Sequence, residues 1–203
     1  MRIGIDACTW TNRRGYGRFT RELVGAMVRD HPQHQFVLVV DQHTAAQGEF
    51  PETALLEVVS TGEQPAQAAS ADGSRGVLDL WRMGRAVAKA RFDAFFFPTR
   101  YSYFPFSGSA PTVITFHDAT AEQHPELIFP NLRSRLLWGI KTRLALRRAD
   151  RLATVSEDAR RQISAVFGYP ADEIAVISEG PDPIFGVRAR HGEQSQGSQR
   201  DDQ

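Results

Sequence analysis

The sequence predicts an α/β fold: an open, doubly wound, mostly parallel, Rossmann-like sheet with helices on both faces. Three observations carry this expectation. Short β-rich apolar runs without polar alternation recur along the chain, Ile3-Gly4-Ile5 and Phe36-Val37-Leu38-Val39-Val40 being the clearest, and such runs read as strands buried on both faces. Stretches with helical spacing of apolar residues separate them, as right-handed crossovers between parallel strands require. The chain has 203 residues, 41% apolar with thirteen Phe, which fills one sizeable core and leaves no room for a second full domain.

Taken in order, residues 2–7 form the first strand and 17–29 the first helix, with Phe19, Leu23, Ala26 and Met27 on one side. His31-Pro32 stops that helix, and residues 35–41 form the second strand, followed by a third over 55–61. Residues 62–76 are mostly Gly, Ala, Gln, Ser and Pro with almost nothing to bury, and they read as a mobile loop. The helix over 77–90 is expected to turn Leu78, Trp81 and its alanines inward and Arg82, Arg85 and Lys89 to water. Strands follow at 93–98 and 111–118, separated by an aromatic stretch over 101–108. A long helix spans 132–148, a strand 151–155, and Ser156 caps a helix whose first turn holds Glu157 and Asp158 and whose end is Gly168. The last strand covers 173–177. The organised domain is expected over 1–185, with 186–203 a disordered polar tail.

The totals exclude several function classes. Lys plus Arg and Asp plus Glu balance at 24 each, so net charge supplies no argument for nucleic acid. The single cysteine, Cys8, cannot form an internal disulfide, the start of the chain lacks signal-peptide form, and no run is long enough to span a membrane. The expected location is cytoplasmic, with peripheral contact at the inner face of a membrane left open. The histidines lack ligand spacing, so no metal site is expected, and a G-x-S-x-G hydrolase elbow is absent.

In a parallel sheet, ligands approach beyond the carboxyl ends of the strands, so the loops there are the candidates for chemistry. Gly15-Tyr16-Gly17-Arg18 precedes the first helix; its glycines either serve a tight turn at positive φ or leave a helix N-terminus open to an anion or sugar hydroxyl. The third position of a G-x-G-x-x-G dinucleotide fingerprint is Thr20, yet Asp41 ends the second strand where a ribose-binding acid would sit. A nicotinamide-dependent oxidoreductase is therefore kept as a minor alternative. His117 and Asp118 emerge at the same edge and can bond sugar hydroxyls or handle a proton. Ser156 and Glu179-Gly180 make four loops converging on one rim. The helix over 132–148 carries six basic residues around Leu132, Leu136, Leu137, Ile140 and Leu144; that apolar set either faces the core, the favoured reading, or lies on an anionic membrane.

With these residues in hand, the chain resembles the N-terminal domain of GT-B glycosyltransferases, specifically the retaining family 4 that includes many mannosyl- and glucosyltransferases. The resemblance rests on Gly15-Tyr16-Gly17-Arg18-Phe19-Thr20-Arg21-Glu22-Leu23, Phe116-His117-Asp118, His124-Pro125-Glu126, the run from Arg148 to Glu157 with Arg160, and the run from Val176 to Phe185. It implies sugar transfer, with retention, from a nucleotide-sugar to an acceptor hydroxyl, with no cofactor beyond the donor. The acceptor would be held by this half and the donor by a C-terminal half across a crevice. Gly15 and Gly17, with Tyr16 and Arg18, would face donor phosphates and acceptor; His117 would contact the transferred sugar and Asp118 would hold its loop. Ser156 and Arg160 would begin a helix lining the cleft, and Glu179 and Gly180 would mark the approach to the hinge. The donor-binding half, expected soon after Phe185, is not in this sequence. Three readings follow: an acceptor half that is inactive until a C-terminal half joins it in trans, a non-catalytic binding module, or a truncated fragment.

Overall fold

A computed structural model of the chain describes residues 1–62 and 76–180. Seven strands form one sheet in the order β3-β2-β1-β4-β5-β6-β7, and every neighbouring pair is parallel. They are β1 (Arg2–Asp6), β2 (Gln35–Asp41), β3 (Leu55–Val59), β4 (Ala94–Phe97), β5 (Thr112–Thr115), β6 (Arg151–Thr154) and β7 (Ile174–Val176). The long helices are α1 (Gly15–Asp30), α3 (Val77–Ala90), α6 (Leu132–Arg148) and α7 (Glu157–Phe167); α2 (Gln42–Gln47), α4 (Thr120–Gln123) and α5 (Pro125–Ile128) are short. The doubly wound α/β class is therefore as expected. Strand order reverses between β1 and β4, which opens a crevice at their carboxyl ends.

The side-chain period of two sorts the apolar runs onto the two faces. From β2, Phe36, Leu38 and Val40 pack with Val24 and Val28 of α1, while Val37 and Val39 join the opposite cluster with Met83 and Val87 of α3 and Ile163 of α7. Phe96 of β4 lies on the α1 side, and Phe95 and Phe97 on the other, where Tyr103, Phe104 and Phe106 surround them. Thus the aromatic stretch after β4 is a core-forming loop. Gly168 closes α7 at φ +66°, a left-handed stop that needs glycine.

Several expectations change. Asp41 is buried and accepts hydrogen bonds from the backbone N–H groups of His43 and Thr44 and from the Thr44 hydroxyl at 2.6 Å. It caps α2, a helix that the sequence hides because six residues are too short to show periodicity, and it is not open to a ribose. Leu78 and Trp81 of α3 are exposed; Asp79, Met83, Gly84 and Val87 face inward. The rotation follows Asp79, whose carboxylate accepts from the backbone N–H of Gly62 at 2.9 and 3.0 Å.

The helix α6 is turned likewise. Leu132, Leu136, Leu137, Ile140 and Leu144 are exposed, and Trp138, Thr142 and Ala145 are buried, so the core-facing reading of that apolar set fails. The cause is a buried ion pair. Arg100, only 1% exposed, forms a bidentate pair with Glu122 at 2.9 and 3.0 Å, and its guanidinium lies 4.8 Å from the rings of both Phe116 and Trp138. The Trp138 indole N–H donates to Glu122 Oε1 at 2.7 Å. A charge removed from water needs such partners, so Trp138 must point in and the leucines point out. No described helix is long and apolar enough to cross a membrane. The proposed mobile loop lies outside the described residues over 63–75, as do Phe185 and the proposed tail.

Candidate functional site

The first loop is built around Asn12. Its side-chain oxygen accepts from the Arg14 N–H at 2.8 Å, and its carbonyl accepts from Arg21 of α1 at 3.1 Å. A Cβ on Gly17 would fall 2.0 Å from that same carbonyl, so Gly17 is the position where helix and loop touch backbone to backbone. Gly17 is buried. A Cβ on Gly15, by contrast, would meet nothing within 4 Å. Neither glycine has positive φ, which removes the tight-turn explanation for both. Arg14, at the N-cap of the sixteen-residue α1, makes no side-chain capping hydrogen bond; its carbonyl accepts from the N–H groups of Gly17 and Arg18.

The second loop follows β5. The His117 ring stands edge-on to Phe19 of α1 at 4.8 Å between centroids, and its Nε2 lies 3.0 Å from the carbonyl oxygen of Pro98. A carbonyl can only accept, so Nε2 carries the proton and Nδ1 keeps its lone pair. Burial pushes the pKa of His117 below the usual 6.5, against the smaller opposing effects of the Pro98 hydrogen bond and the Glu179 and Asp118 charges. The imidazole is neutral near pH 7. Asp118 accepts from the Thr120 N–H at 3.0 Å and starts α4, which fixes the loop.

These pieces meet in a pocket of about 580 Å³, lined by Arg14, Gly15, Tyr16, Tyr101, His117, Asp118, Thr120, Ala121, Leu127, Ile128 and Glu179. It lies where the loops after β1, β4, β5 and β7 come together. Of the candidates read from the sequence, Gly15, Tyr16, His117, Asp118 and Glu179 share this pocket; Gly17, Arg18, Ser156, Arg160 and Gly180 do not line it. Ser156 accepts from the Ala159 N–H at 3.1 Å as the cap of α7, and Arg160 pairs with Glu157 at 2.5 Å on the same helix.

Tyr101 lines the pocket, and sequence reasoning passed it over. It stacks on Tyr16 with centroids 5.4 Å apart and touches Trp138 at 5.2 Å, making an aromatic wall joined to the Arg100–Glu122 pair. Burial, reinforced by Asp118, pushes its phenol up to about 12, so it stays protonated. The aromatic run after β4 was the available signal, but nothing in it distinguishes Tyr101 from the core residues Tyr103 and Phe104. Leu127 and Ile128 sit on a helix of one turn that no periodicity reveals.

A doubly wound parallel sheet with an open pocket at its switch point places this candidate site where α/β folds of this class bind their ligands. The model of Glycosyltransferase Family 4 matches residues 13–184, and the chain belongs to that family. Among solved structures, one to which it is similar is an alpha-glucosyltransferase in complex with UDP and a 13-mer DNA containing an HMU base, at 15% identity and a TM-score of 0.44. The similarity covers 94% of this chain and 45% of that one, so the chain spans less than half the length of that enzyme. Among curated proteins none matches.

Proposed function

We propose that this domain forms the acceptor side of a sugar-transfer crevice, in which a sugar passes from a nucleotide-sugar to an acceptor hydroxyl with retention. The observation that carries this reading is the meeting of Gly15, His117 and Glu179, from loops far apart in a family 4 chain, around one pocket. In the transfer, the bond from the anomeric carbon to the diphosphate breaks and a bond to the acceptor oxygen forms on the same face. The acceptor proton leaves with the departing phosphate, so no carboxylate base is required here. The transition state is cationic at the sugar and anionic at the diphosphate. Neutral His117 offers its Nδ1 lone pair to a sugar hydroxyl and adds no charge beside the developing cation. The N-terminal end of α1, which begins at Gly15 in the pocket wall, carries the positive end of the helix dipole and favours the anionic side. The aromatic faces of Tyr16 and Tyr101 suit the apolar face of an acceptor ring.

The diphosphate also needs cations from across the crevice, and the domain is expected to turn over only together with a donor-binding half, on the same polypeptide or another. The test is transfer from a panel of labelled nucleotide-sugars to candidate acceptors, with the 203-residue chain alone and with that half added. Activity restored by addition supports the proposal. Robust turnover by the chain alone contradicts the need for a second half, and no transfer in either case contradicts the enzymatic reading. Peripheral attachment is a separate question.

A further inference from the structure

The exposed side of α6 presents an unusual mixture. Leu132, Leu136 and Ile140 follow one another at four-residue spacing and are 81, 65 and 46% exposed, with Leu137 and Leu144 beside them. By the 100° advance per residue, Arg133, Arg143 and Arg147 fall among these aliphatics on the same side, opposite the buried Trp138, Thr142 and Ala145. From Leu132 to Leu144 the ridge runs about 18 Å at 1.5 Å per residue. The whole helix, Leu132–Arg148, contains six Lys or Arg and no Asp or Glu. Arg133, Arg143 and Arg147 form no ion pair among the described residues.

Each occupant of such a surface makes a different demand. A second copy related by a two-fold axis would set the cations of one α6 against those of the other, which repel. A nucleic acid backbone would match the arginines but leave five large aliphatics against phosphates and water. An anionic bilayer satisfies both, since headgroups meet the guanidinium groups while the aliphatic side chains enter the acyl boundary, the geometry of interfacial helices. We propose that the α6 ridge is a docking surface for anionic lipid membranes. The protein lies on the bilayer through Leu132, Leu136, Ile140 and Leu144, and the arginines confer the preference for acidic lipid. Leu127, 76% exposed just before α6, is also a wall of the pocket, so apolar surface continues from the docking helix toward the site.

The test is flotation of the 203-residue chain with phosphatidylglycerol–phosphatidylcholine vesicles and with pure phosphatidylcholine vesicles. The expected result is co-flotation with the acidic vesicles that weakens at about 1 M salt, where the screening length falls to ~3 Å. Leu136→Gln with Ile140→Gln should lower vesicle affinity about tenfold or more, and Arg143→Gln with Arg147→Gln by a similar factor on acidic vesicles alone. All four positions are solvent-exposed, and thermal melts of both variants should coincide with that of the parent. Absence of flotation overturns the proposal, as does flotation indifferent to both variants. Self-association in sedimentation velocity that disappears in the Leu136→Gln, Ile140→Gln variant, without vesicle binding by the parent, would assign the ridge to a second copy instead.

Discussion

Replacing Glu122 by Gln tests how the pocket is held in place. Gln keeps the shape of the side chain and an oxygen for the Trp138 N–H, so the change removes the charge and puts an NH2 donor where the second oxygen accepted from Arg100. Arg100, 1% exposed and bound to Glu122 at 2.9 and 3.0 Å, then remains as a buried guanidinium without a counter-charge. Leaving one member of a buried ion pair uncompensated costs about 3–5 kcal/mol, against a total stability of roughly 5–15 kcal/mol for a domain. For a chain of this size each kcal/mol lowers Tm by about 2–4 °C, so the expected fall is roughly 6–20 °C. The assay is a thermal melt followed by far-ultraviolet circular dichroism. Adding Arg100→Met should return most of the loss, because an apolar side chain replaces the stranded cation beneath Phe116, Trp138 and Phe167. A Glu122→Gln melt within about 2 °C of the parent would refute the reasoning, since that shift corresponds to 1 kcal/mol or less.

Two further outcomes follow from the site. Gly17→Ala forces a methyl group to within 2.0 Å of the Asn12 carbonyl and should cost about 1–3 kcal/mol in urea titration; Gly15→Ala, with open space around it, should change stability by less than about 1 kcal/mol. Because the folded state lowers the pKa of His117, the unfolded chain binds the extra proton first as pH falls through 6.5. The His117 contribution to stability is therefore complete above that pH and is lost progressively below it; in His117→Ala that part of the pH dependence should vanish from denaturant midpoints taken between about pH 7 and 5.

The sequence shows the sheet well because the strands are apolar runs with little competing pattern: Phe36 to Val40 and Phe95 to Phe97 are legible as strands by eye. The placement of Gly15, Tyr16, His117, Asp118 and Glu179 around one pocket was also legible, because strand ends in a parallel sheet must share an edge. Orientation within helices was not. An apolar stripe says which residues share a face, but on α6 the inward face was chosen by Trp138 through its contacts with Arg100 and Glu122, residues 38 and 16 positions earlier in sequence. Asp41 misled for a related reason: a carboxylate at a strand end looks the same whether it awaits a ribose or caps the next helix. Gly17 shows the converse, a glycine in a candidate ligand loop whose lack of a side chain serves packing against Asn12.

The most direct test of the central claim is steady-state kinetics of His117→Ala in the enzyme assembled with its donor-binding half. Because the imidazole Nδ1 is assigned to the transferred sugar, kcat should fall by about 100-fold while KM for the acceptor changes little, as expected for an interaction realised at the reacting centre. An unchanged kcat would place His117 outside the crevice and contradict the account.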